Sequence, residues 1–178
     1  MSVLQGRRVG ALAVAGALTA AAAAPALAGT ARVSDKRGDA PASTDIVSLT
    51  VSYPGDLVRS KVKIRDLRGS GVVAWQLSSE GPGGPDARGV VTVKATKAAG
   101  QPATVRVSYW REIGSGMDCP TTEVTWNSRQ DFATMKVDMS CLEEFLWAAP
   151  EYYVTAKSER LDHGGRDRTR ELVVPSGG

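Results

Sequence analysis

The sequence is poor in the side chains that serve metal, redox and hydrolytic chemistry. It has one histidine, His163, and two cysteines, Cys119 and Cys141, in 178 residues. A structural zinc site uses about four His or Cys ligands, and a dithiol redox site uses a Cys-x-x-Cys pair, so both classes are excluded. The Gly-x-Ser-x-Gly elbow of many serine hydrolases is also missing.

The chain has one long apolar run, and it lies at the beginning. Arg7 and Arg8 precede an uncharged run of residues 9–24, which is followed by Ala26-Leu27-Ala28. This pattern is typical of a secretory signal peptide with an Ala-x-Ala cleavage site. We therefore expect residues 1–28 to be a signal peptide and the mature protein to be secreted and extracellular. No later run reaches the roughly 20 apolar residues of a spanning helix, so no membrane span is expected after signal removal.

A strong excess of either charge is missing as well. The formal net charge of +3 comes from 22 basic and 19 acidic residues, and it falls to +1 (20 against 19) once Arg7 and Arg8 leave with the signal peptide. A nucleic-acid-binding domain carries a clustered positive excess. We therefore predict no nucleic-acid partner.

The mature sequence instead shows a period-two alternation of apolar and polar residues from Thr44 onward. In residues 45–53, Val47, Leu49 and Val51 fall on one face, and in residues 57–65 four basic side chains fall on the outer face. Such strands, separated by Gly, Pro, Asp and Ser without helical patterns, predict an all-β fold with antiparallel pairing. We expect a β-sandwich, jelly-roll or immunoglobulin-like, of about eight strands over residues 44–158. Polar arms are expected at 29–43 and 159–178, and an exposed Gly- and Pro-rich loop at 80–86. The four outward basic side chains are Arg59, Lys61, Lys63 and Arg65.

The two cysteines are expected to form a structural disulfide. Cys119 and Cys141 bracket the hairpin predicted between Glu123 and Met139, and antiparallel pairing brings them together at its open end. Secretion favours their oxidation.

An acidic segment at the start of the sandwich is a candidate metal site. Asp35, Asp39 and Asp45 surround Gly38, and an oxygen-rich loop of this kind is suited to a structural calcium ion. Asp162 and Asp167 join them if the last strand lies beside the first. The alternative is that these are ordinary solvated loop acids. No other cofactor is expected.

Adjacent aromatic residues offer a candidate ligand-binding surface. Trp110, Trp147 and Tyr153 are predicted to form an exposed platform on which sugar rings stack, the alternative being that they pack beneath loops. No catalytic residue is predicted. A carboxylate pair for glycoside hydrolysis has candidates in Glu112, Asp118, Glu143 and Glu144, but their spacing does not single them out.

The chain resembles a group of small secreted β-rich proteins of actinobacteria in four features. These are the signal peptide, the motif Asp35-x-x-Gly38-Asp39, the pair Asp45-Ile46 at the start of a valine-rich strand, and the late Ser140-Cys141-Leu142. The resemblance implies a bacterial source, a β-rich fold and an extracellular location, but no activity. The sequence thus favours a secreted, non-enzymatic binding or envelope-associated module whose partner is a cell-wall glycan or an extracellular protein. Two alternatives stay open. One is an extracellular carboxylate-dependent hydrolase, and the other is a secreted inhibitor or interaction protein that presents the loop of residues 114–120.

Overall fold

The protein folds as two antiparallel β-sheets packed face to face, as predicted. The computed structural model describes residues 29–81, 84–109, 116–143, 145–146, 149–162 and 164–175. These residues form twelve strands, and every pairing between them is antiparallel. The fold is therefore the expected all-β antiparallel sandwich.

The smaller sheet has five strands in the order β1-β2-β3-β9-β8. The strands are β1 (Thr30–Ser34), β2 (Ile46–Ser52), β3 (Leu57–Ile64), β8 (Glu123–Asn127) and β9 (Phe132–Asp138). A short 3-10 helix, Met139–Cys141, follows β9.

The larger sheet has the order β11-β10-β4-β5-β6-β7, and β12 also pairs with β10. Its strands are β4 (Gly71–Gly81), β5 (Gly84–Lys97), β6 (Thr104–Tyr109), β7 (Gly116–Met117), β10 (Glu151–Glu159), β11 (Arg166–Arg168) and β12 (Leu172–Pro175). The strands β12 and β11 succeed each other along one edge of β10, while β4 pairs with the other edge.

The core lies between the sheets because alternate side chains of each strand point inward. Leu49 and Val62 of the smaller sheet and Trp75, Val93 and Val154 of the larger sheet are all at most 1% exposed. The opposite side chains of the same strands form the two outer faces, which are mostly polar but include Val72, Val90 and Val173.

One predicted inward residue is wrong, and a bulge explains it. The β2–β3 register shifts between Ile46 and Ser48, so Val47 is an extra residue on β2. Ile46 is fully buried, whereas Val47 is only partly buried. An extra residue changes the side to which the preceding residues point, and the plain alternation did not anticipate it.

The Gly- and Pro-rich segment predicted as a loop is largely a hairpin. The β4–β5 pairing extends to Gly81 and Gly84, so of the predicted loop 80–86 only Pro82 and Gly83 lie outside the described strands. Proline and glycine are tolerated near the tip of a hairpin because few ladder bonds are lost there.

Parts of both predicted arms are strands. Residues 29–43 contain β1, which pairs with β2, and residues 159–178 contain β11 and β12, which pair with β10. These strands are short and lie at sheet edges. β11 consists of two arginines and an aspartate, and β1 and β12 have only five and four residues, so the sequence pattern did not reveal them as strands.

Candidate functional site

Cys119 and Cys141 form the predicted disulfide. Their Cα atoms are 5.8 Å apart, and the bridge joins the turn before β8 to the 3-10 helix after β9. Cys119 is buried and Cys141 packs against the core. The bond is therefore part of the scaffold and closes the open end of the β8–β9 hairpin.

Three carboxylates converge where the N-terminal segment meets β11. One carboxylate oxygen from each of Asp39, Asp45 and Asp167 lies within 4.8 Å of the other two. Asp39 and Asp45 belong to the predicted calcium set, and Asp167 is one of the residues expected to join it. Asp35, the third member of the predicted set, directly follows β1 and is not among these mutually close carboxylates.

The Asp45 side chain is held in a fixed position inside the protein. It is 0% exposed, and its Oδ2 accepts hydrogen bonds from the Gly38 N–H at 2.9 Å and from Arg65 Nη1 at 3.1 Å. The turn depends on Gly38, whose φ of +85° is a left-handed conformation that favours glycine. The backbone therefore folds over the carboxylate.

Asp167 connects this cluster to the first residue of β2. Its Oδ2 accepts the Ile46 N–H at 2.7 Å, and its Oδ1 accepts the N–H of Arg168 at 2.7 Å. Burial raises the pKa of Asp167, these two N–H donors lower it, and the charges of Asp35 and Asp39 raise it. The net shift is upward, so crowding of like charges and burial outweigh the hydrogen bonds.

A second candidate site is a groove on the outer face of the larger sheet. We call it the sheet groove. Its volume is about 320 Å³, and it is lined by Gln76, Ser78, Arg88, Val90, Tyr153, Thr155, Arg168 and Glu171. Strands β4, β5 and β10 supply its floor, because residues that face outward on adjacent strands fall in register there. Two further depressions adjoin it, with volumes of about 480 Å³ and 190 Å³. One shares Arg168, the other shares Gln76, and both include Lys157.

Tyr153 is the predicted aromatic ligand residue that the structure describes, and Arg88 covers its ring. The Arg88 guanidinium carbon lies 4.5 Å from the ring centroid. Arg88 is itself held by Glu80 at 3.1 Å and by Glu171 at 3.3 Å. On that side the Tyr153 ring is therefore not a bare apolar platform, because an oriented cation lies against it. Trp110 and Trp147 lie outside the described residues.

Two cations face each other across the β10–β11 pair. Lys157 and Arg168 are directly opposite in the register. Burial, and then the Arg168 charge, lower the pKa of Lys157. Like charges at directly opposed positions destabilise a sheet. In the part of the chain that the structure describes, neither side chain has an acidic group within 4 Å.

The predicted row of basic side chains lies on the outer face of the smaller sheet, but its members differ. Arg59 and Lys61 are exposed, and Lys61 lies over the Phe132 ring, 4.0 Å from its centroid. Lys63 donates to the Gln130 carbonyl. Arg65 is the ion-pair partner of Asp45, so it belongs to the carboxylate cluster rather than to the row.

The structure does not assemble the carboxylates considered for hydrolysis. Asp118 and Glu143 are exposed, and neither lines the sheet groove. Glu112 and Glu144 lie outside the described residues, as does His163. Of the loop considered for an inhibitor, residues 114–115 are also outside them, while Asp118 and Pro120 are exposed.

Sequence reasoning missed the groove residues Gln76, Arg88 and Arg168. Gln76 was detectable as an outward position of a predicted strand. Arg88 lies beside the segment interpreted as a loop, and Arg168 lies in the segment interpreted as an arm. The sequence therefore indicated no pairing partner in a sheet for either residue.

None of the described residues forms a helix that is long and apolar enough to cross a membrane. Comparison of the chain with protein-family models, curated proteins and solved structures gave no significant match.

Proposed function

We propose that the protein is a secreted, non-enzymatic β-sandwich module that binds an anionic glycan of the cell envelope in the sheet groove. The observation that carries the proposal is the opposed pair Lys157 and Arg168. Arg168 lines the groove, Lys157 lines the two adjoining depressions, and neither has an acidic group within 4 Å among the described residues. A bound carboxylate or phosphate placed between them relieves their repulsion and gains charge-assisted hydrogen bonds.

Other residues of the groove and of the depressions beside it suit the neutral parts of a sugar chain. Gln76 and Thr92 hydrogen bond to each other across β4 and β5 at 3.4 Å, which leaves an amide and a hydroxyl at the surface. Tyr153 adds aromatic surface beside them, and the fixed Arg88 adds donors. Such a combination of a few placed polar groups around a concave surface is typical of ligand sites.

The groove is less suited to hydrolysis. Its acidic side chain Glu171 and the neighbouring Glu80 both contact the Arg88 guanidinium. They are therefore engaged in positioning a cation, whereas glycoside hydrolysis requires a carboxylate pair placed on either side of the scissile bond. This arrangement supports a binding role over the hydrolase alternative.

A second candidate function is supported by the outer face of the smaller sheet. This face carries five basic side chains and two acidic ones, which is a large imbalance for a mature chain of net charge +1 (20 basic against 19 acidic residues). The basic residues are Arg32, Arg59, Lys61, Lys63 and Lys136, and the acidic residues are Glu123 and Asp138. An acidic extracellular protein is the partner that fits this charge. The interaction-protein alternative thus gains a defined kind of partner and a defined surface.

Binding measurements on two matched pairs of variants separate these functions. Polygalacturonate serves as the anionic glycan and dextran as the neutral control, with affinity measured by calorimetry at low and high salt. Removing the opposed cation pair, Lys157→Ala with Arg168→Ala, should weaken polygalacturonate binding roughly tenfold, equivalent to about 1.4 kcal/mol. The matched control, Arg59→Ala with Lys61→Ala, removes the same charge from the opposite sheet and should change the affinity much less.

The expected binding weakens as salt rises, because charge contributes to it. If the Arg59 and Lys61 variant loses binding while the groove variant keeps it, the ligand lies on the basic face and the second candidate is favoured. If the wild type binds no polygalacturonate at low salt, the proposed function is wrong.

A further inference from the structure

The carboxylate cluster has the spacing of a single cation site. Asp39 lies in the turn after β1, Asp45 immediately precedes β2, and Asp167 is the central residue of β11. Their nearest oxygens lie within 4.8 Å of one another. Calcium holds oxygen ligands at about 2.3–2.6 Å, so two ligands on opposite sides of the ion are about 5 Å apart. One ion therefore fits between all three side chains as they stand.

Asp45 provides an independent indication that something binds there. Its Oδ2 has two hydrogen-bond donors, but its Oδ1 is buried and has no partner among the described groups. The side chain is 0% exposed. A buried carboxylate oxygen without a donor is unfavourable, because it has lost water and gained nothing in return. A cation coordinated by this oxygen removes the deficit.

The local charge balance leads to the same conclusion. Arg65 is the basic partner of Asp45, and its side chain is 48% exposed. Asp39 and Asp167 have no basic partner within 4 Å in the described part of the chain. Asp35 lies nearby, and its Oδ2 is also buried without a hydrogen bond. Among the described residues, the three carboxylates of the cluster thus make one ion pair within 4 Å, and its guanidinium is half-exposed.

We propose that Asp39, Asp45 and Asp167 bind one Ca²⁺ ion, which joins the N-terminal segment to β11 at the edge of the sandwich. The donors are all carboxylate oxygens, which hard cations such as calcium prefer to the nitrogen and sulfur ligands of zinc or copper. The ion occupies a position between the two sheets, since β2 belongs to one and β11 to the other. The proposal does not depend on the glycan groove and is tested without any glycan.

The test compares the secreted protein in chelator and in calcium. After removal of bound metal with EGTA, calcium at about one hundred times its dissociation constant should raise the melting temperature by about 5–10 °C for a domain of this size. Titration of CaCl₂ into the metal-free protein by calorimetry should show one site. An unchanged melting temperature together with no heat of binding up to millimolar calcium overturns the proposal.

A variant pair distinguishes coordination from a merely structural role. Asp39 is exposed, so Asp39→Asn keeps the shape of the side chain and permits folding. In EGTA this variant should be at least as stable as the wild type, because one of several crowded charges is gone. On addition of calcium it should lose most of the melting-temperature rise that the wild type shows.

Asp56→Asn, in the exposed turn between β2 and β3, is the matched control and should keep the full calcium response. A full response in Asp39→Asn, or an equal loss in Asp56→Asn, contradicts the assignment.

Discussion

Removal of the Cys119–Cys141 disulfide should cost a large part of the stability of the fold. The two cysteines are 22 residues apart in sequence. In the chain-entropy treatment, cross-linking a loop of this length destabilises the unfolded state by about 3.4 kcal/mol. Cys119 is also buried at 9% exposure, so its truncation adds a small packing loss. The expected cost of about 3–4 kcal/mol is a large fraction of the roughly 5–15 kcal/mol that stabilises a typical domain.

The experiment is urea unfolding of the double variant Cys119→Ala with Cys141→Ala, followed by tryptophan fluorescence. Its free energy of unfolding should fall by about 3–4 kcal/mol, and its dependence on urea should become steeper because an uncrosslinked chain exposes more surface. Reduced wild type should behave like the double variant, and reductant should leave the double variant unchanged. The reasoning is refuted if reduction leaves the wild-type midpoint where it was, or if alkylation finds two free thiols in the native protein.

Two further predictions concern the packing of the larger sheet and the response of the fold to alkaline pH. A Cβ at Gly89 would lie 2.2 Å from the carbonyl oxygen of Phe145, so Gly89→Ala should lower the free energy of unfolding by about 2 kcal/mol or more in urea. A Cβ at Gly69 would have no such neighbour within 4 Å, so the control Gly69→Ala should change it by at most about 0.5 kcal/mol. Burial, and then the neighbouring Tyr152, raise the pKa of Tyr53 to about 12. The unfolded phenol ionises near pH 10, so the stability that follows from the raised pKa of Tyr53 is fully present below pH 10 and is lost between about pH 10 and 12. Over that interval the free energy of unfolding of the wild type should therefore fall by about 2–3 kcal/mol more than that of Tyr53→Phe. Equal stabilities of the two glycine variants, or parallel pH profiles of wild type and Tyr53→Phe, would contradict these arguments.

The strands with one apolar face could be predicted closely from sequence. The alternation over residues 57–65 corresponds to β3, Leu57–Ile64, and the pattern at Glu123–Asn127 corresponds to β8. In both, burial of one face leaves a two-residue period in the sequence. The bulge at Val47 left no such trace, because an added residue resembles ordinary alternation until the partner strand is known.

The short edge strands and the strand order could not be predicted, and the candidate sites depend on them. β11 has three residues, two of them arginines, and resembles a polar tail. Its pairing with β10 brings Arg168 opposite Lys157 and brings Asp167 to the carboxylate cluster. Local residue types therefore indicated that Asp39 and Asp45 suit a cation, but the long-range pairing selects Asp167 as their third partner.

The sheet groove was beyond sequence reasoning for the same reason. Tyr153 was singled out by its residue type, but its partner Arg88 comes from a neighbouring sheet position on β5. Strand β4 lies between β5 and β10 in the sheet. Only the order β10-β4-β5 brings the two side chains together.

The most direct test of the central claim, that the sheet groove binds an anionic glycan, is nuclear magnetic resonance of the ¹⁵N-labelled protein titrated with a short oligogalacturonate. We predict that the largest amide shift changes fall on Gln76, Thr155, Lys157 and Arg168, which line the groove and the depressions beside it. The same titration with a neutral oligosaccharide of equal length should produce much smaller changes. Shift changes centred on Lys61 in the opposite sheet, or none at any oligogalacturonate concentration, would contradict the account.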